Sequence, residues 1–237
     1  MTDSKTKVAF VTGGTKGIGL GVAMALVAQG IKVAITGRNQ ELVNTAANKL
    51  NEQKGGFAMG LVADVRNYEA QEKAVNEVIG QWGAIDYVIA NAGVGHFANI
   101  EALTPAQWQE TMDTNLTGVF YTTKATLPFL KQSKGYLITI ASLAGTNFFA
   151  NGAAYNASKF GLVGYTQAVM LDLRKHGIKV STIMPGSVAT AFNDHTVSEQ
   201  DAWKIQPEDI GRIVVDLINM PARTLPSKIE VRPTMPA

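Results

Sequence analysis

The chain has 237 residues, with 21 Lys+Arg against 19 Asp+Glu for a net charge of +2, and it contains no cysteine. Without cysteine there are no disulfides, thiolate nucleophiles or Cys-ligated metal centres, and His96, His176 and His195 lack the short spacings of a zinc site, so no metal is expected. Charge this balanced, with no Lys/Arg stripe, gives no reason to expect a nucleic-acid partner, and no apolar run reaches the ~18 residues of a membrane span. Met1–Lys7 is short and polar; no signal or transit peptide is expected there, and a cytoplasmic location follows as the expectation.

Short apolar runs recur along the chain at Lys7–Thr12, Lys32–Thr36, Phe57–Val62, Ile85–Ala90, Tyr136–Ile140, Lys179–Met184 and Lys228–Val231. Several are nearly continuous (Val-Ala-Phe-Val, Tyr-Val-Ile-Ala), as in parallel strands buried on both faces. Between them, Ile18–Gln29, Gln40–Gln53, Tyr68–Gln81 and Gly152–His176 carry Ala, Leu and Val at helical spacing. Asn67 is placed to cap its helix, and Thr104-Pro105-Ala106-Gln107 combines an N-cap, a first-turn Pro and a capping-box residue; Pro207 opens another helix in the same way. Strand–helix alternation implies βαβ units and an α/β, Rossmann-type doubly wound sheet of about seven parallel strands with helices on both faces. No Pro/Gly/Ser-rich linker, repeat or low-complexity tract divides the chain, so a single domain over 1–237 is expected. Residues 186–206 have weak periodicity and read as a mobile substrate lid.

The first strand runs into Gly13-Gly14-Thr15-Lys16-Gly17-Ile18-Gly19 and then a helix. Glycines there let backbone approach a phosphate, with the helix N-terminus facing it. The same turn without a ligand would be a tight strand-to-helix connection, and its spacing, T-G-x-x-x-G-x-G, is not G-x-G-x-x-G. About twenty residues on, where an Asp or Glu would hold the ribose 2′-OH of NAD, stand Gly37 and Arg38. Arg38 and Lys16 are two cations suited to a 2′-phosphate, so NADP is expected over NAD; a stacking role for Arg38 and a solvated Lys16 are the alternatives.

Thr12–Gly19 resembles the cofactor motif of the short-chain dehydrogenase/reductase family, and that family's other motifs follow in order from Lys7 to about Arg232. Asp64-Val65 matches its adenine-contacting pair. Asn91-Ala92-Gly93 matches its Asn-Asn-Ala-Gly motif, with Ala90 in place of the first Asn. Asn115, Ser142, Tyr155-Asn156-Ala157-Ser158-Lys159 and Pro185-Gly186 with Thr190 complete the series. The resemblance implies a cofactor site of Gly13, Thr15, Lys16, Gly17, Ile18, Gly19, Arg38, Asp64, Val65, Asn91, Ala92, Gly93, Tyr155, Lys159, Pro185, Gly186, Val188 and Thr190. It implies that Asn115, Ser142, Tyr155 and Lys159 are catalytic, with Lys159 on the nicotinamide ribose and Asn115 anchoring a water that leads from Lys159 to solvent. Substrate-facing positions implied by family topology are Val94, Phe97, Leu143, Phe148, Phe149 and Phe192, with Val188 and Trp203 beside them.

The spacing itself puts Tyr155 and Lys159 on one helix face. A nearby ammonium is expected to lower the phenol pKa and suit it to proton exchange with an alcohol or carbonyl. The expected function is therefore hydride transfer between NADP(H) and a small carbonyl/secondary-alcohol substrate, with Tyr155 as general acid/base. Two alternatives stand beside it. One is a 3-oxoacyl-carrier-protein reductase, against which the chain ends Ile229-Glu230-Val231-Arg232-Pro233 rather than in a Gly-rich segment. The other is a non-catalytic NADP-sensing protein, which would not need Ser142, Tyr155 and Lys159. Pro105–Leu130 and Ala153–Lys175 carry small and apolar residues, and the resemblance implies that these helices pair between subunits in a homotetramer or homodimer.

Overall fold

The computed structural model describes residues 6–235; the first five and last two residues of the expected domain, and with them most of Met1–Lys7, lie outside the described part. Strand β1 (Val8–Val11) is buried along its whole length, as its unbroken apolar sequence requires. It pairs in parallel with β2 (Lys32–Gly37) on one side and β4 (Tyr87–Ala90) on the other. With β3 (Ala58–Val62), β5 (Tyr136–Ile140), β6 (Lys179–Pro185) and β7 (Lys228–Val231) the sheet has seven strands, all parallel, in the order β3-β2-β1-β4-β5-β6-β7.

The strand period sorts the core into two layers. Val8, Phe10, Val88 and Leu137 point to the face covered by α3 (Tyr68–Trp82), α5 (Gly118–Ser133) and α6 (Ala153–Leu173). Their neighbours Ala9, Val11, Ile89 and Ile138 point to the face covered by α1 (Gly17–Ala28), α2 (Gln40–Gln53) and α7 (Pro207–Asn219). Helix starts follow the cap residues. Asn67 Oδ1 accepts from Ala70 N at 2.8 Å, and Thr104 forms a full capping box with Gln107 at the start of α4 (Pro105–Met112).

The expected helix Pro105–Leu130 is not one α-helix. Between α4 and α5 lies a single π turn, Asp113–Thr117, closed by Gly118 N donating to Asp113 O. The extra residue in that turn rotates Asn115 into the protein, where it is fully buried. Similarly, α6 stops at Leu173 and a 3₁₀ turn, Arg174–His176, finishes the stretch.

Strand order reverses between β1 and β4, so loops leaving their C-terminal ends part to opposite faces and open a crevice, the usual ligand position in such sheets. Among the described residues, no helix is long and apolar enough to cross a membrane.

Candidate active site

A cavity of about 1050 Å³ runs along the C-terminal edge of the sheet. One end is the turn after β1. Gly13 and Gly17 there have φ of +64° and +54°, a left-handed backbone open to glycine, and a Cβ on Gly13 would fall 2.9 Å from Ala92 Cα. The turn is held from the β4 side: Asn91 Nδ2 donates to the carbonyls of Thr12 and Gly13, both at 3.0 Å, while the Thr12 hydroxyl accepts from Asn91 N and Ala92 N. This clamp gives Thr12 and Asn91 a structural duty that the motif alone does not reveal.

The wall is built by the residues the sequence singles out. Every expected cofactor residue except Gly19 lines the cavity, and so do all six expected substrate residues. Gly19 instead packs beneath, against Gly13 and Asn91. Asn115 is also not on the wall. Its Oδ1 accepts from Val94 N at 2.8 Å, and its Nδ2 donates to Val94 O and to Ser158 Oγ at 2.9 and 3.0 Å. It ties the loop after β4 to α6.

At the far end stand Ser142, Tyr155 and Lys159. Ser142 follows β5, and its Oγ accepts from Ala144 N at 3.1 Å. Burial pushes the Tyr155 phenol above its ordinary value, and a hydrogen bond with Ser142 pulls it back down. Lys159 is lowered to about 8 by burial. Its Nζ lies 5.6 Å from the Tyr155 ring centre and donates to Ile140 O at 3.1 Å. The expectation that the ammonium depresses the phenol is therefore not met in the protein alone. Removal from water dominates both groups and drives each toward its neutral form.

Sequence reasoning missed Asn156. Its Nδ2 donates to Ala144 O and Asn147 O, both at 2.7 Å, and its Oδ1 accepts from Phe149 N, pinning the loop after Ser142 to α6. It also missed the charges around Arg38. Glu110 Oε1 lies 3.8 Å from Arg38 and 3.5 Å from Arg66, and its Oε2 is 2.9 Å from His96 Nε2. Arg66 forks onto Asp64 at 2.7 Å and holds that carboxyl below its usual range. No local signal marks the Glu110 pairs, because they join separate segments.

Residues 186–206 are tied together by Asp201, which binds Lys204 Nζ at 2.6 Å, His195 Nε2 at 2.8 Å and Ser198 N at 2.9 Å. A bridge between Val188 and Ile205 closes the base of the segment.

A dinucleotide fits this cavity on two observations. At Gly13 and Gly17 the turn lines the cavity with backbone and no side chain. Lys159, 4% exposed, uses one of its three N–H donors on Ile140 O among the described residues, leaving donors for a ribose.

Comparison with known proteins agrees with that fit. Residues 7–201 match the family model described as short chain dehydrogenase. An uncharacterized oxidoreductase of Staphylococcus aureus strain USA300 is 34% identical over 234 residues, covering 98% of this chain and 100% of the relative. A metagenomic short-chain oxidoreductase solved with NADP is 32% identical, with a TM-score of 0.85 over 99% of this chain and 100% of that one. A 3-ketoacyl-ACP reductase from Sinorhizobium meliloti 1021 is 31% identical, with a TM-score of 0.87 over 95% and 97% of the two chains.

Proposed function

The chain belongs to the short chain dehydrogenase family, and on that premise we propose that it is an NADP-dependent reductase interconverting a small carbonyl compound and its secondary alcohol. The observation that carries the proposal is one cavity with a glycine turn and Arg38 at one end and Ser142, Tyr155 and Lys159 together at the other. NADP is supported by Arg38 and Lys16 on the cavity wall, by the missing carboxylate at Gly37, and by the NADP bound in the metagenomic relative.

The nicotinamide, when bound, supplies or accepts the hydride. Ser142 holds the substrate oxygen by a hydrogen bond beside the Tyr155 phenol. In reduction Tyr155 passes its proton to that oxygen as the carbonyl carbon becomes a C–H centre, leaving a phenolate and an alcohol. Lys159, charged below about 8, stabilises that phenolate and orients the ribose. Asn115 keeps its proposed place in the path that returns a proton from solvent, acting through the Val94 loop and Ser158 rather than at the cavity wall. Residues 186–206 act as a lid that excludes water during transfer, within one cytoplasmic domain. Exposed Phe120, Phe160 and Leu171 on α5 and α6 support assembly into a homodimer or homotetramer.

A second reading, reduction of a 3-oxoacyl thioester on a carrier protein, is favoured by the likeness to the Sinorhizobium reductase. A sensor without turnover has no use for the Ser142–Tyr155–Lys159 group. Loss of NADPH absorbance on a panel of ketones, keto esters and 3-oxoacyl thioesters tests the proposal. Tight NADPH binding with no consumption on any of them would reject it in favour of a sensor.

A further inference from the structure

Aromatic rings from three segments converge on the phenol. Phe97, from the loop after β4, meets Tyr155 edge-on at 5.3 Å between ring centres. Phe192, from the segment after β6, lies 5.9 Å from Tyr155 and 6.4 Å from Phe97. Phe149, from the loop after β5, lies 5.9 Å from Phe97. These separations are those at which aromatic pairs attract beyond their buried area.

The backbone is shaped to admit the rings. A Cβ on Gly95 would fall 2.8 Å from a Phe192 ring carbon and 2.9 Å from one of Phe97, and a Cβ on Gly152 would fall 2.7 Å from Phe149. Asn156 fixes the Phe149 backbone in addition. The rings are nevertheless left partly uncovered, Phe97 at 40%, Phe149 at 48% and Phe192 at 36% exposure. Rings so placed around an acid, and still open to the cavity, have room for another ring.

Charge narrows the occupant further. Apart from Lys159, assigned above to the phenolate and the ribose, the basic side chains on this end of the cavity, His195, Lys204 and Arg232, each face a carboxylate already: Asp201 at 2.8 and 2.6 Å, and Glu230 at 2.9 Å. A substrate carboxylate or phosphate would have to displace one of these partners, and Lys204 with Asp201 sums to no net charge. An uncharged molecule faces no such competition.

We infer that the substrate is an uncharged ketone carrying an aromatic ring next to the carbonyl, the ring seated among Phe97, Phe149 and Phe192 and the oxygen on Tyr155 and Ser142. This rests on the reductase activity proposed above. A saturated ring of the same carbon skeleton fills the same space without the edge and face polarity the three phenylalanines address.

The test compares kcat/KM with NADPH for acetophenone, cyclohexyl methyl ketone, benzoylformate and a 3-oxoacyl N-acetylcysteamine thioester. The ratio of acetophenone to cyclohexyl methyl ketone is then measured again in Phe192→Leu and in Gly95→Ala, the latter displacing the rings without removing one. Comparing ratios cancels the inherent reactivity of the two ketones. The expected result is a fall in that ratio of about fivefold in each variant, with the anionic benzoylformate used less well than acetophenone. A ratio unchanged in both variants, or preference for the keto acid or the thioester, overturns the inference while leaving the reductase activity in place. No NADPH consumption with any of the four overturns both.

Discussion

The Lys159 ammonium lies 5.6 Å from the centre of the Tyr155 ring, and the same burial raises the tyrosine and lowers the lysine to about 8. Tyr155→Phe keeps the ring that packs against Phe97 and Phe192 and deletes only the hydroxyl. Turnover is expected to drop about 10²–10⁴-fold, with the NADPH dissociation constant nearly unchanged. Wild-type kcat in this variant on a verified substrate would refute the proposed role.

Burial of Lys159 also has a thermodynamic sign. In the unfolded chain the amine titrates near 10.5, in the folded one near 8. Between those values the unfolded state holds more protons, so folding of the cofactor-free protein becomes more favourable as pH rises. Below about 8 the full penalty applies, on the order of 3 kcal/mol. Lys159→Met, close in volume, should therefore melt several degrees higher than the wild type at pH 7 without cofactor, and the gap should shrink toward pH 10. Equal melting temperatures at both pH values would show that the amine carries no such penalty.

The proposed preference for NADP is better tested at Arg38 than at Gly37. A Cβ on Gly37 would fall 2.7 Å from Thr15 Cγ2 and 3.0 Å from Val43 Cγ2, so an acidic residue there would disturb the turn itself. Arg38→Gln is the cleaner variant. It should raise KM for NADPH about tenfold or more and leave that for NADH within about twofold, since a charged hydrogen bond is worth ~1.5–3 kcal/mol. A higher kcat/KM with NADH than with NADPH in the unmodified enzyme would end the assignment.

Asp201 is the hub of residues 186–206, and its carboxyl is held well below the usual range by Lys204 first, then by Ser198 N and His195. A depressed acid stabilises its surroundings above its unfolded value, ~3.9, and that support fades as pH falls below it. Amide exchange across 187–206 should speed up in Asp201→Asn, and in the wild type as pH drops below about 4, relative to the core strands. Adding NADPH and a substrate analogue should slow it. Identical exchange with and without ligands would dismiss the lid.

Phe160, Gly164 and Leu171 lie on one stripe of α6, with Phe160 43% and Leu171 59% exposed and open space beside Gly164. Light scattering should give a mass two or four times the 25.3 kDa of one chain, reduced to a single chain in Phe160→Glu/Leu171→Glu. A monomeric wild type at micromolar concentration would rule out assembly through this face.

Strand β1 and its glycine turn were legible because their signals are local: a run buried on both faces must be apolar, and a left-handed turn favours glycine. The cap at Thr104 is legible for the same reason. Arg66 and Glu110 are 44 residues apart, and only the fold brings them together. Asn156 carries no signal of its role, since nothing in its neighbours announces the carbonyls of Ala144 and Asn147. The neutralising effect of burial on Tyr155 and Lys159 was equally hidden, for spacing states who is near but not how much water is left.

The π turn at Asp113–Thr117 makes the protein sensitive to length as well as to identity. Removing one residue there would let α4 and α5 merge into a continuous α-helix, a favourable backbone outcome. The cost would appear elsewhere: everything on one side of the deletion would turn by about 100° against the other. Asn115 would swing away from Val94 and Ser158. Many substitutions in this stretch should be tolerated, whereas a single-codon deletion should uncouple the loop after β4 from the helix that bears Tyr155. A gap of one residue here would therefore separate a lineage with this site from one without it more sharply than differences in side chains.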